Sequence, residues 1–147
     1  MTDHRELYYL LPDGTRHPAE IPQTIVFLDS QPDAKQACDE FWARAPAKWI
    51  GVDYYRFVFC ECSTVLSAKR RWTVMKAFRA GLCRILFATE VAGMGIDFPF
   101  VERVIQWCVG AHLNITAVLQ RLGRASRRLG TQGVFILYYT RRYVITR

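Results

Sequence analysis

Three arginines within a short stretch form the pattern in this sequence that is best suited to chemistry. Arg121, Arg124 and Arg127 follow Gln120, and Gly123 lies beside the middle arginine. A guanidinium group stays charged and presents a planar set of N–H donors that matches phosphate oxygens. At helical spacing the three side chains fall on neighbouring faces. The pattern therefore indicates either a phosphate-binding cluster or the solvated basic end of a helix, where the macrodipole favours cations.

A second pattern precedes the arginines along the chain. Residues 85–88 form a short apolar run that is typical of a buried parallel strand. Thr89 follows at once, then Gly93 and Gly95 two positions apart, and then Asp97. The glycines let the backbone turn tightly and approach a ligand. Because parallel sheets bind ligands at the carboxyl ends of their strands, Thr89, Gly95 and Asp97 are candidate binding residues, although Asp97 could also be a capping or loop residue.

These two patterns together resemble motifs V and VI of superfamily 2 nucleic-acid helicases. The resemblance lies in Ala-Thr-Glu-Val-Ala-Gly-Met-Gly-Ile-Asp-Phe-Pro at residues 88–99 and in Gln-Arg-x-Gly-Arg-Ala-x-Arg at residues 120–127. The Gly-Met-Gly form is most similar to the RecQ-type branch, particularly its fungal members. A weaker similarity extends to residues 24–29, which resemble motif IV, and to Leu-Ser-x-x-x-Arg at residues 66–71, so that the resemblance covers residues 24–140.

The resemblance implies a fold, an activity and partners. We expect an α/β fold, namely a single RecA-like domain whose parallel sheet carries helices on both faces, corresponding to the second such domain of a helicase motor. The implied activity is ATP-dependent 3′-to-5′ DNA unwinding, as in DNA repair and recombination, with ATP and Mg²⁺ bound mainly by a first motor domain. The implied partners are single-stranded or duplex DNA and that first RecA-like domain, in cis or in trans. We expect neither membrane association nor a structural metal.

The resemblance also implies a role for each site residue. Arg127 is the implied arginine finger, and Arg124 acts beside it as the second catalytic arginine. The implied ATP-binding residues are Gly95, Asp97, Gln120, Arg124 and Arg127. The implied nucleic-acid-binding residues are Thr89, Gly93 and Arg121, although Arg121 could instead make a structural contact.

The sequence also departs from a complete helicase motor. It contains no Gly-x-x-x-x-Gly-Lys-Ser/Thr segment to hold nucleotide phosphates and no carboxylate pair at the end of an apolar strand to hold Mg²⁺. We therefore expect the chain alone to be inactive as an ATPase. The alternative to a motor domain is a non-enzymatic nucleic-acid-binding fragment or a degenerate helicase.

The charge of the chain is distributed unevenly. Residues 1–100 contain 12 basic and 12 acidic side chains, whereas residues 101–147 contain eight arginines and only one acidic residue, Glu102. The net charge of +7 therefore lies entirely in the last third of the chain, which indicates a polyanionic partner. Three of these arginines lie in the last seven residues, and they could equally be a solubilising basic tail.

Composition places the chain among globular proteins. Hydrophobic residues make up 51% of the 147 residues, which predicts a packed core. Cys38, Cys83 and Cys108 lie in apolar segments and are expected to be core residues. Cys60 and Cys62, separated by one residue, do not have the spacing of a metal site. Because the cysteine usage suits a reducing compartment and the first residues do not resemble a signal peptide, we expect the nucleus or another reducing intracellular compartment.

Apolar periodicity predicts alternating strands and helices over three regions. Residues 1–23 are predicted to form an N-terminal extension with a possible edge strand at 7–11, and residues 141–147 a basic tail, while the resemblance implies that residues 24–140 form the helicase C-terminal domain. The predicted strands are 24–28, 54–60, 85–88, 101–107 and 133–139. The predicted helices begin after a cap at Asp29 or Ser30, after Ser67, and after Asn114. In the second helix, Trp72, Met75 and Phe78 are predicted to face the core.

Overall fold

Within the residues that the structure describes, five parallel strands form one sheet. The computed structural model describes residues 3–89, 101–109 and 134–139. The strands are β1 (Thr24–Leu28), β2 (Phe59–Cys62), β3 (Ile85–Thr89), β4 (Arg103–Val109) and β5 (Val134–Tyr139). Their order across the sheet is β2-β3-β1-β4-β5, and every neighbouring pair is parallel.

In the described part of the chain, one helix covers each face of this sheet. They are α1 (Gln31–Arg44) and α2 (Ala68–Arg79). Since side chains alternate along a strand, β1 directs Val26 and Leu28 into the core beneath α1 and directs Ile25 and Phe27 into the core beneath α2. The predicted parallel sheet with helices on both faces is confirmed.

Local sequence signals mark the start of both helices and the end of α2. The Ser30 hydroxyl accepts the backbone N–H of Asp33 at 3.3 Å, so Ser30 is the cap of the two residues predicted for α1. The Ser67 hydroxyl accepts the backbone N–H of Arg70 at 3.1 Å, which confirms the predicted Ser67 cap. Beyond the end of α2, Gly81 has a φ of +79°, which is a left-handed conformation that side chains with a Cβ rarely adopt.

The predicted edge strand at residues 7–11 is wrong, because this segment contains a 3₁₀-helix, Arg5–Leu10. In a 3₁₀-helix, side chains three positions apart lie above one another. Leu7 and Leu10 therefore point the same way, and both are buried in the core beneath α1. The N-terminal segment is packed against the domain rather than added to the edge of its sheet.

The second strand also differs from its prediction at residues 54–60. Asp53–Tyr55 forms a short 3₁₀-helix in which Tyr54 is exposed, and β2 begins only at Phe59. The physical reason is tertiary, since the strand begins where it can pair with β3. The shift moves the end of β2 forward to Cys62, so that Ser63 follows the strand.

The prediction of which α2 residues face the core is also partly wrong. Val74, Ala77 and Phe78 are buried and Met75 packs partly against them, whereas Trp72 is 65% exposed. A spacing of three residues drifts around a helix of 3.6 residues per turn, so Trp72 and Phe78 point in different directions.

The helix predicted at residues 115–122 lies outside the described residues. No helix in the described ranges is long and apolar enough to cross a membrane.

Candidate nucleic-acid interface

The C-terminal ends of β2, β3 and β1 lie side by side, and we call this end of the sheet its carboxyl edge. β3 lies between β2 and β1, with Thr89 opposite Leu28 on one side and Ala88 opposite Cys62 on the other. Thr89 is half-buried at the last position of β3. Asp29 and Ser63 follow the ends of the two flanking strands, so polar groups collect around Thr89 at this edge.

Both helices begin at the same edge, because each follows a parallel strand. A helix N-terminus presents unpaired backbone N–H groups and a partial positive charge, which suit an anion such as phosphate. The first turn of α1 contains Asp33, whereas the first turn of α2 contains no acidic residue and is followed by Arg71. The N-terminus of α2 is therefore the more favourable of the two for an anion.

Two buried polar atoms near this helix start have no hydrogen-bond partner within the part of the chain that the structure describes. They are the hydroxyl oxygen of Ser63, whose side chain is fully buried, and Nε of Arg71. Burying a polar atom without a partner is costly, so such atoms mark places where a ligand can supply the missing bond. A hydroxyl and a guanidinium N–H both donate to phosphate oxygens, so these two donors fit a phosphate group.

The charge of Arg71 also affects the pKa of the Cys62 thiol. Burial raises the pKa of the Cys62 thiol, and the positive charge of Arg71 opposes that rise. Arg71 is thus one of the charged groups that influence the Cys62 thiol at the end of β2.

The cysteines whose side chains the structure describes are all buried, namely Cys38, Cys60, Cys62 and Cys83. Cys38 and Cys83 are buried, as predicted, and burial raises the pKa of both thiols. Such thiols are neutral at pH 7 and are poor nucleophiles and poor metal ligands. The described residues contain no group of three or more histidine, cysteine or acidic side chains that could hold a metal ion. The side chain of Cys108 lies outside the description.

Among the predicted site residues, the structure describes Thr89 alone, and it lies at the carboxyl edge where the strand order placed it. The others lie outside the described residues, and their roles stay predictions: Gly93, Gly95, Asp97, Gln120, Arg121, Arg124 and Arg127. Sequence reasoning missed Ser63, because it ended β2 two residues too early. Arg71 had a signal in the Leu-Ser-x-x-x-Arg similarity, but no role was predicted for it.

Comparison with known proteins identifies the family. Over 117 residues the chain is 29% identical to "Nucleolar RNA helicase 2" of Rattus norvegicus, and this match covers 80% of the chain and 13% of the relative. Over 79 residues it is 39% identical to "ATP-dependent RNA helicase eIF4A" of Scheffersomyces stipitis, covering 54% of the chain and 19% of that relative. The chain thus spans less than a fifth of the length of these two relatives.

A solved structure agrees with the sequence matches. The crystal structure of a DEAD box protein from the hyperthermophile Methanococcus jannaschii superposes with a TM-score of 0.68 at 26% identity, covering 94% of this chain and 32% of that one. The family model described as "Helicase conserved C-terminal domain" matches residues 4–128. This chain therefore belongs to the helicase conserved C-terminal domain family, as the C-terminal helicase domain of a superfamily 2 helicase.

Proposed function

We propose that this domain is the second motor domain of an ATP-dependent RNA helicase. The observation that carries the proposal is the family match over residues 4–128. The carboxyl edge around Thr89, with the unpaired donors of Ser63 and Arg71, supports it because this arrangement suits a nucleic-acid phosphate. The two relatives compared above are named RNA helicases, which favours RNA over DNA.

DNA is the second candidate substrate. It is favoured by the Gly-Met-Gly sequence at residues 93–95, which is most similar to the RecQ-type branch. In that case the domain would serve 3′-to-5′ DNA unwinding in repair or recombination. Under either substrate we propose a nuclear location, which the word "Nucleolar" in the rodent relative's name supports.

The proposed mechanism is closure on a first motor domain around ATP and Mg²⁺. In the closed state Gly95, Asp97 and Gln120 would line the nucleotide site, while Arg124 and Arg127 would donate to the γ-phosphate. An arginine supplied to the phosphate in this way contributes on the order of 10³–10⁵ in rate. Repeated opening and closing would move the domain along a strand.

The nucleic-acid contacts would lie at the carboxyl edge of the sheet. Thr89, Gly93 and Arg121 would contact the phosphate backbone, and the half-buried Arg71 would add a donor beside them. Contacts of this kind position a strand without reading its bases. We therefore expect the isolated chain to bind single strands weakly, with a dissociation constant no tighter than roughly micromolar, and to release them as salt rises.

The test is ATP hydrolysis by this chain joined to a functional first motor domain, measured with single-stranded RNA and single-stranded DNA of equal length. Stimulation by RNA supports the proposal, and stimulation by DNA alone would replace it with the RecQ-type alternative. Hydrolysis without stimulation by either, or no hydrolysis, would favour a degenerate, non-enzymatic binding module.

A pair of arginine variants locates the binding edge in the same assay. Arg71→Ala should raise the RNA concentration needed for half-maximal stimulation several-fold, because a phosphate contact is lost. Arg44→Ala is the matched control, since this exposed arginine lies in the last turn of α1, on the other face of the sheet, and pairs with Asp13 at 4.0 Å. Equal effects of the two variants would show that α2 does not border the binding edge.

A further inference from the structure

One side of α2 faces away from the sheet and combines three cations with a tryptophan. Lys69, Trp72, Lys76 and Arg79 are spaced by three or four residues and are all exposed. We call this set the basic aromatic face. Trp72 is 65% exposed, and the Nζ atom of Lys76 lies 4.9 Å from the centroid of its ring.

The charge of this face is not balanced locally. Residues 63–89 contain six basic side chains and no acidic one. Within the described ranges, none of the three cations on the face forms an ion pair with a carboxylate. A helix with uncompensated positive charge is complementary to a polyanion.

The exposed indole of Trp72 favours a nucleic acid over an acidic protein as the polyanion. An acidic protein segment would satisfy the cations but would leave an aromatic ring without a specific partner. A single-stranded nucleic acid uses both, since phosphates pair with cations while bases stack on aromatic rings. Trp72 also lies five residues after the Ser67 cap, so it is about 7 Å along the helix axis from the carboxyl edge.

We propose that the basic aromatic face binds single-stranded nucleic acid, with a base stacked on Trp72 and neighbouring phosphates held by Lys69, Lys76 and Arg79. The proposal rests on the function proposed above and extends the strand path from the carboxyl edge along α2. Stacking is tolerant of base identity, so this contact would add affinity without sequence preference.

Tryptophan emission of the full 147-residue chain tests the proposal directly. Trp72 is exposed, whereas Trp42, Trp49 and Trp107 are half-buried or buried. Addition of oligouridylate should quench the emission, and Trp72→Phe should remove that quenching while retaining most of the affinity. An abasic oligonucleotide of the same length should bind more weakly and leave the emission unchanged.

The affinity of Trp72→Ala completes the test. It should fall roughly 5- to 150-fold for oligouridylate, the cost of losing one stacked base. Its affinity for the abasic oligonucleotide should not change. The matched control is Tyr54→Ala, because Tyr54 is equally exposed at 65% but lies before the N-terminal end of β2, away from the carboxyl edge. The affinity of this variant for oligouridylate should equal that of the unmodified chain.

The outcomes separate this proposal from the proposed function. If the unmodified chain binds oligouridylate and Trp72→Ala binds it equally well, the proposal that a base stacks on Trp72 is wrong. The proposed function is then unaffected. If polyglutamate binds more tightly than oligouridylate and its binding depends on Trp72, the face is a protein-binding surface. If the unmodified chain binds no nucleic acid, the basic aromatic face is not a binding site, and the proposed function is decided separately by the ATP hydrolysis of the joined domains.

Discussion

Replacing His4 with glutamine should destabilise the domain, and the loss should be largest at acidic pH. The ring of His4 is fully buried, with Nε2 2.7 Å from a carboxylate oxygen of Asp33 and Nδ1 3.1 Å from one of Glu40. Only the doubly protonated ring donates to both oxygens. The ring also lies 5.7 Å from that of Trp107, and the Tyr8 hydroxyl donates to the same Glu40 oxygen. His4 thus ties the N-terminal 3₁₀-helix to α1 and the sheet.

The size of the effect follows from these two bonds. A hydrogen bond to a charged group contributes about 1.5–3 kcal/mol. The side chains of Asp33 and Glu40 are 18% and 25% exposed, so water keeps access to them and the lower end applies to each bond. The expected loss is therefore about 3 kcal/mol below pH 6. At about 3 °C per kcal/mol for a domain of this size, the melting temperature should fall by about 9 °C.

The direction of the pH dependence follows from the pKa of His4. Burial lowers this pKa, but the hydrogen bond to Asp33 and the charges of Asp33 and Glu40 outweigh it, so the net shift is upward from 6.5. A raised pKa means that the stabilisation is complete below pH 6.5 and is lost as the pH rises through the folded value. The difference between the unmodified chain and His4→Gln should therefore shrink towards alkaline pH.

Thermal unfolding followed by circular dichroism between pH 5.5 and 8.5 measures this difference. The control is His17→Gln, because His17 is exposed and its ring nitrogen accepts only a backbone N–H, that of Ala19. That variant should lack the acidic-pH deficit expected for His4→Gln, because the His17 ring donates to no carboxylate in the described residues. A His4→Gln deficit that is constant across this range, or larger at pH 8.5, would refute the reasoning.

Two further substitutions test the packing of the domain by urea unfolding. Phe41→Ala should cost about 3–5 kcal/mol, because the fully buried ring lies 5.1 Å from that of Phe87 and 5.6 Å from that of Phe59; a loss below about 1 kcal/mol would contradict the described core. Arg84→Lys should cost about 1–2 kcal/mol, since two guanidinium N–H groups donate to the carbonyl oxygen of Ile21 at 2.9 and 2.7 Å and an ammonium lacks that planar fork. A lysine variant as stable as the unmodified chain would show that this bond does not hold the segment before β1.

Local signals predicted much of the fold. β1 matched its predicted range of residues 24–28, and both serine caps were found, because a β-branched run and a capping hydroxyl act over a few residues. The start of β2 could not be predicted in this way, since it depends on pairing with β3, which is distant in sequence. The exposure of Trp72 likewise depends on which side of α2 meets the sheet.

Only part of the candidate site could be predicted from the sequence. The position of Thr89 followed from strand order alone, because parallel strands end at one edge. The unpaired donors of Ser63 and Arg71 depend on burial, which no sequence pattern states. The arginine roles came from resemblance, and they remain predictions until they are measured.

Nucleic-acid-stimulated ATP hydrolysis by the chain joined to a first motor domain, compared between Arg127→Ala and Arg142→Ala, tests the central claim most directly. Arg127→Ala should lower kcat at least about 100-fold with little change in nucleic-acid affinity, because an arginine finger acts on transition-state charge. Arg127→Lys should fail nearly as badly, since a point charge does not reproduce the planar fork. Arg142→Ala, in the basic tail, should leave kcat unchanged. Equal kcat values for Arg127→Ala and Arg142→Ala would contradict a motor function for this domain.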